Sequence, residues 1–146
     1  MTSAILRILD ANFNRSREGL RVCEEIARFY MNNKALTRDL KKARHAVSGC
    51  LKTFPGSWTQ LLAARDTRAD VGKKFSKLEK DRKNAAEIFL ANAQRSKESL
   101  RALEEFSKCA DEKISEKFKK IRFQVYAIEK KARVELEALC HHDSAQ

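Results

Sequence analysis

Arginine and asparagine recur in this chain at matched spacing, and both side chains carry N–H donors that phosphate oxygens accept. Asn12, Arg15 and Ser16 return eighty residues later as Asn92, Arg95 and Ser96. Two further arginines close similar runs, Leu40-Lys41-Lys42-Ala43-Arg44 and Phe118-Lys119-Lys120-Ile121-Arg122, at an offset of seventy-eight. Between the copies lies Ala64-Arg65-Asp66-Thr67-Arg68-Ala69-Asp70-Val71-Gly72. Asp66 and Asp70 bracket Thr67 there, and two carboxylates beside a phosphate site commonly hold Mg²⁺ through oxygens and water. Glu18 and Glu98 are the alternative metal ligands. The connector is no glycine-rich phosphate cradle, because Gly72-Lys73-Lys74 lacks the upstream glycine and the Ser/Thr such a loop needs.

Helices must position these groups. At about 100° per residue, the first helix lines Ile5, Ile8, Ala11, Gly19, Val22, Cys23, Ile26 and Phe29 along a stripe that holds Asn12, Arg15 and Ser16. The third helix repeats this with Ile88, Ala91, Leu103 and Phe106 around Asn92, Arg95 and Ser96. The second sets Arg44 among Leu40, Ala43, Val47 and Leu51, and the fourth sets Arg122 among Phe118, Ile121, Val125 and Tyr126. Four guanidinium groups are thereby expected near the bundle axis. An unpaired buried guanidinium is strongly destabilising, so these need either bound anions or Glu18, Glu25, Glu98 and Glu105 at the stripe's edge. On the residues alone both arrangements stay open: an anion pocket, or an internal ion-pair network that fixes helix register. Tyr126 and Trp58 can stack on a heteroaromatic base or serve as plain core.

The copies extend beyond the charged residues. ANFNRSREGLRVCEE at 11–25 and ANAQRSKESLRALEE at 91–105 agree at nine of fifteen positions. The chain therefore reads as one duplicated domain, with repeat one at about 3–54, a connector at about 55–77 and repeat two at about 78–140. The first helix starts at Ser3 and stops near Asn32-Asn33; the second runs from about Leu36 to Thr53, where Phe54-Pro55-Gly56 breaks it. Ser57-Trp58-Thr59-Gln60 has the form of a capping box opening a short helix. A loop over Arg65 to Lys77, a third helix over Leu78 to Lys108 and a fourth from an Asp111 cap to Leu139 complete the reading. The expected fold is all-α, an up-down-up-down four-helix bundle of two hairpins with pseudo-twofold symmetry.

Composition agrees. Only one proline and four glycines occur in 146 residues, and 35% of residues are charged, which favours helix. A net charge of +11 draws polyanions: nucleic acid, an anionic membrane or phosphorylated small molecules. No apolar run is long enough to span a membrane, and Met1-Thr2-Ser3 does not begin a signal peptide, so a cytoplasmic location is expected. The four cysteines lack metal or disulfide spacing; three of them read as small hydrophobes, and Cys140-His141-His142, which could catch a metal, reads instead as a frayed polar tail.

Taken in order, Ile8 to Val22, Leu40 to His45, Arg65 to Gly72 and Ala91-Asn92 through Glu104-Glu105 resemble the small monofunctional hydroxymethylpyrimidine phosphate kinases, which occur alone or fused ahead of thiamine phosphate synthase. The similarity extends from about Ile5 to Glu129. It implies ATP- and Mg²⁺-dependent phosphorylation of 4-amino-5-hydroxymethyl-2-methylpyrimidine phosphate to the diphosphate in thiamine synthesis. With no room after Gln146 for a synthase domain, it also implies the stand-alone form. Lys73 stands after Gly72 where the family pattern suggests a small hydroxyl residue, so a lysine contact to phosphate replaces it. Because the acceptor is already a phosphate oxygen, no strong base is needed, and charge neutralisation carries the reaction. Arg15, Arg44, Arg95 and Arg122 are expected to grip the phosphates with Asn12, Asn92 and Thr67, Tyr126 to stack on a base, Asp66 and Asp70 to bind Mg²⁺, and Arg65 to close over the transferring group. The competing expectation is a basic bundle that binds RNA or DNA through Lys73, Lys74, Lys77, Lys80, Arg82 and Lys83; the inward arginines make nucleic acid the less favoured partner.

Overall fold

A computed structural model describes residues 1–55, 58–67 and 81–143, with backbone alone for residues 58 and 140–143. Helix α1 spans Ser3–Glu25 and opens where the Thr2 hydroxyl accepts the Ile5 N–H at 3.3 Å. It widens into a π turn over Ile26–Tyr30, in which the Met31 N–H reaches back to the Ile26 carbonyl at 2.9 Å. Asn32 then takes a left-handed φ of 52°, a conformation asparagine tolerates, and the chain reverses. Asn33 caps α2 (Lys34–Thr53) by accepting the Leu36 N–H at 2.9 Å. Phe54-Pro55 ends it. Helix α3 covers Trp58–Ala64, α4 Ala85–Ser107 and α5 Glu112–Asp143.

The all-α class and the two hairpins match expectation, with two differences at the second. Helix α4 starts at Ala85 and not Leu78, because Asn84 accepts the Glu87 N–H at 2.9 Å while the Glu87 carboxylate accepts the Lys83 N–H at 2.9 Å. These two side chains satisfy backbone N–H groups at the helix start, and Asn84 with Glu87 three residues on is the sequence signal for it. Helix α5 begins as expected, with the Asp111 carboxylate accepting the Lys113 N–H at 2.8 Å, and continues past Leu139 to Asp143.

Direction of packing follows from which residues meet. The Cys23 thiol donates to the Phe89 carbonyl at 3.5 Å and the Ser96 hydroxyl to the Ser16 carbonyl at 3.4 Å. Partner numbers fall on α4 as they rise on α1, so the two helices are antiparallel. Asn33 to Glu135 at 2.7 Å and Lys97 to Glu129 at 2.6 Å bring α2 beside α5 and α4 beside α5. The helices form a ring in the order α1, α2, α5, α4. The chain therefore runs up-down-down-up, a correction to the up-down-up-down order expected. The pseudo-twofold lies across the bundle at Ser16 and Ser96, and α2 ends at the opposite pole from the start of α4.

The buried face of α1 carries Leu9, Phe13, Ser16, Gly19, Leu20, Cys23 and Ala27. That is about one residue, or 100°, around the helix from the stripe read in the sequence. Phe13 sits at the centre, edge-on to Phe54 at 6.1 Å and to Phe118 at 5.5 Å. Cys23 and Cys50 are buried and Cys109 is exposed; burial pushes the Cys23 thiol up to about 12, so it stays neutral core. Among the described residues no helix is long and apolar enough to cross a membrane.

Helices α1 and α4 approach closely at Gly19. A Cβ there would meet Ser96 Oγ and lie 2.8 Å from the Asn92 carbonyl oxygen, whereas at Gly49 nothing stands within 4 Å. Helix propensity alone favours alanine over glycine by about 1 kcal/mol at either position. Gly49→Ala should show that gain, while overpacking at Gly19→Ala should reverse it to a loss of about 1–3 kcal/mol. Urea unfolding of both variants reads the difference, and a stabilised Gly19→Ala would contradict the close crossing.

Candidate functional site

The one-residue rotation of α1 decides where the expected ligands lie. Arg15 and Arg95 are exposed, and Asn12 and Asn92 are half-buried on the outer flank. Each asparagine amide donates to the carbonyl four residues back, Ile8 and Ile88, at 2.8 Å. The expected convergence of four arginines on the bundle axis is thus corrected. Gln94 donates to the Glu98 carboxylate at 2.8 Å on the exposed face of α4.

Arg44 and Arg122 point between helices, where glutamates meet them. Arg44 Nε donates to Glu24 at 2.8 Å. Arg122 donates to Glu104 through Nε at 2.9 Å and through a second nitrogen at 2.8 Å. Glu24 and Glu104 are buried and repeat-related, and each carboxylate also faces an arginine of its own helix, Arg21 at 3.4 Å or Arg101 at 2.9 Å. Burial works against the charge on Arg122, but its hydrogen bonds to Glu104 and Tyr126 outweigh it and hold its pKa above the ordinary value. The carboxylates expected at the stripe's edge serve elsewhere: Glu25 pairs with Arg21 at 2.7 Å and Glu105 with Arg101 at 2.8 Å, both at the surface. In these two clusters the internal ion-pair arrangement holds.

A groove remains on the outer side of α1. It measures about 770 Å³ and is lined by Arg7, Asp10, Asn12, Asn14, Arg15 and Glu18 from α1, and by Arg65, Asp66 and Thr67 from the chain after α3. Asp10 builds it. This carboxylate is buried, and Arg65 donates to both its oxygens at 2.7 Å. That hydrogen bond is also the chief cause raising the Arg65 pKa. The bidentate clamp ties the connector to α1 and sets Asp66 and Thr67 beside Arg15. Arg65 is accordingly engaged as a strut. Asp10 was not singled out in the sequence, yet a signal was present: its repeat counterpart is Leu90, so only the first copy can hold a connector this way.

The groove gathers Asn12, Arg15, Glu18, Arg65, Asp66 and Thr67 from the expected set and adds Arg7, Asp10 and Asn14. It does not include Arg44, Asn92, Arg95, Glu98, Arg122 or Tyr126. Tyr126 lies on the outside of α5, 41% exposed, with its ring beneath Lys97 at 5.3 Å and Arg122 at 5.7 Å. Asp70, Gly72, Lys73, Lys74, Lys77 and Lys80 lie outside the described residues, as does the Trp58 side chain. Among the described residues no three His, Cys, Asp or Glu side chains converge as a metal cage. The oxygens of Glu18, Asp66 and Thr67 do suit Mg²⁺, which takes one or two carboxylates and completes its shell with phosphate oxygens and water.

Comparison with known proteins adds the lineage. The model of the ThiD2 family matches residues 7–131. The chain belongs to that family. It is similar to thiamine-phosphate synthase of Rhodopirellula baltica, 38% identical over 136 residues that make up 92% of this chain and 36% of the relative. Thiamine-phosphate synthases of Synechocystis sp. and Thermosynechococcus vestitus are each 41% identical, over 87% and 84% of this chain and 36% and 34% of theirs. The ThiD2 chain thus spans about a third of these curated relatives. No solved structure matches it significantly.

Removing one partner of a buried ion pair strands the other charge at a cost of about 3–5 kcal/mol. Glu104→Gln and Arg122→Met should each lower stability by that order, while the apolar pair Glu104→Leu with Arg122→Leu recovers most of it. Chemical denaturation of the three variants checks this; single variants as stable as the parent would mean the pair is not a structural clasp.

Proposed function

We propose that this ThiD2 chain acts in thiamine biosynthesis as the kinase that converts 4-amino-5-hydroxymethyl-2-methylpyrimidine phosphate to its diphosphate, with ATP as donor and Mg²⁺ as metal. The observation that carries this reading is the groove beside α1, where two arginine side chains, Arg7 and Arg15, share one cavity with the oxygens of Asp66, Thr67 and Glu18. Family membership and relatives named for thiamine phosphate synthesis support the pathway.

The groove suits the chemistry. An oxygen of the acceptor phosphate attacks the γ-phosphorus of ATP; a new P–O bond forms as the bond to the β,γ-bridging oxygen breaks, and ADP leaves. Two anions must approach each other, so the main demand is charge neutralisation with alignment. Arg7 and Arg15 supply fixed positive charge along one wall, each able to hold two phosphate oxygens in its planar fork. Asn14, which donates to the Asp10 carbonyl at 3.0 Å, lines the same wall. The Asp10–Arg65 clamp holds the opposite wall in place, and that wall carries Asp66 and Thr67. Asp66 with Glu18, and Asp70 of the connector as a further ligand, would hold Mg²⁺, which when bound would supply charge neutralisation to the phosphates. An acceptor without its phosphate would leave an arginine unmatched, which accounts for selectivity toward the monophosphate.

A coupled assay of ADP release with purified protein, Mg²⁺, ATP and the pyrimidine monophosphate tests the activity, and no turnover under saturating conditions would refute it. Arg15→Met should lower kcat/KM by about a hundredfold or more with the melting temperature unchanged. Arg95→Met, the same change in the other copy and away from the groove, should have a far smaller effect; equal losses would place the chemistry elsewhere.

A further inference from the structure

The two halves of the bundle differ in how the space beside the repeated arginine, Arg44 or Arg122, is completed. In the second half Lys97, on α4, is neutralised by Glu129 at 2.6 Å. Tyr126 lies over it and over Arg122, and the phenol oxygen accepts from Arg122 Nη1 at 3.3 Å. The edge between α4 and α5 is therefore covered by a part-exposed aromatic ring in contact with both cations, its oxygen hydrogen-bonded to a guanidinium.

In the first half every cation of that arrangement is kept, and both groups that complete it are absent. Arg17 stands for Lys97, Arg21 for Arg101 and Arg44 for Arg122. The counterpart of Glu129 is Leu51, which packs on the core, and the counterpart of Tyr126 is Ser48, whose short hydroxyl donates back to the Arg44 carbonyl at 3.2 Å. The result is a second groove of about 490 Å³ between α1 and α2, lined by Asn14, Arg17, Glu18, Arg21, Val22 and Arg44. Buried Arg17 Nε has no hydrogen-bond partner among the described residues. Arg44 has Nε on Glu24, and among the described residues lining the groove none takes the place of the phenol oxygen that Arg122 meets.

We infer that this groove between α1 and α2 is a binding site for a phosphorylated planar ring, which takes the position that Tyr126 occupies in the other half. The ring would lie against the guanidinium planes of Arg17 and Arg44 as the tyrosine lies against Lys97 and Arg122. Its phosphate oxygens would supply the negative charge that Glu129 supplies there, accepting from Arg17 and from the outward nitrogens of Arg44. Val22 gives the ring an apolar edge. Asn14 and Glu18 belong to both grooves, so a ligand bound here abuts the one along Arg7 and Arg15. The inference stands on the comparison of the two halves and does not need the kinase reading.

The test uses phenyl phosphate, a planar ring with one phosphate, titrated calorimetrically into the intact chain beside inorganic phosphate. Phenyl phosphate should bind about tenfold or more tightly than inorganic phosphate. Arg17→Met, which removes the Nε that has no hydrogen-bond partner among the described residues, should weaken it by about tenfold or more. Ser48→Tyr should rebuild the plug and abolish it, with circular dichroism and the melting temperature confirming that both variants fold. If Ser48→Tyr does not fold, the Arg17 variant decides. Absence of phenyl phosphate binding, equal affinity for inorganic phosphate, or an affinity that Arg17→Met leaves unchanged would each overturn the site. Failure of the ADP-release assay alongside binding that Ser48→Tyr abolishes would sink the kinase reading and leave this site standing.

Discussion

Because Gly19 carries no Cβ, α1 and α4 come close enough for the Ser96 hydroxyl to reach the Ser16 carbonyl across the helix boundary. Much else follows from that contact. It turns the small-residue face of α1 inward, which sends Asn12 and Arg15 one step around the helix to the outside. It also fixes the direction of α4 opposite to α1, so the second hairpin meets the first about an axis across the bundle. Helix α2 ends at one pole and α4 starts at the other, and the Asp10–Arg65 clamp holds the chain after α3 against α1. The larger groove is thus walled by the side of α1 that this crossing turns away from α4.

Duplication supplies the frame, and the differences between copies supply the sites. Glu24 with Arg44, and Glu104 with Arg122, repeat faithfully because both hairpins need the same clasp. Asp10 does not repeat: Leu90 in its place leaves α4 without an anchor for a connector. Ser48 and Leu51 against Tyr126 and Glu129 separate an open, cation-lined groove from a filled, neutralised one. A polar residue shared by both copies in this chain serves the fold at Glu24, Glu104, Ser16 and Ser96, and the unshared ones carry the asymmetry on which ligand binding would rest.

Much of the fold was legible in the sequence. The self-match at an offset of eighty named the hairpins, and Asn33, Phe54-Pro55 and Asp111 marked ends that the structure keeps. The stripes of α2 and α5 were read in the right phase, since Leu40, Ala43 and Val47, and Phe118, Ile121 and Val125, are all buried. Helix α1 was not. Ile5, Ile8, Val22 and Phe29 suggested a core face, but Leu9, Phe13, Leu20 and Ala27 outweigh them, and Phe29 is 68% exposed. A helix with apolar residues on more than one side leaves its phase undetermined, and only contact with the neighbouring helix resolves it. Fixing the phase correctly required weighing Ser16 and Gly19 as marks of close approach. The site was legible as residue types, arginine with carboxylate and asparagine, more than as a place, since the clamp joins residues fifty-five apart.

The hairpin turns tell the two copies apart in length. Glu24 and Arg44 are separated by 20 positions and Glu104 and Arg122 by 18, yet each pair closes at 2.8 Å. The first hairpin absorbs the surplus in the wide turn over Ile26–Tyr30 and the left-handed Asn32, which carry the chain round without shifting the helices it joins. The surplus stays within the turn, whose Ala27 and Met31 still pack into the core. Registry belongs to the buried carboxylate, and a turn of either copy is free to lengthen or shorten across generations so long as that anchor finds its arginine.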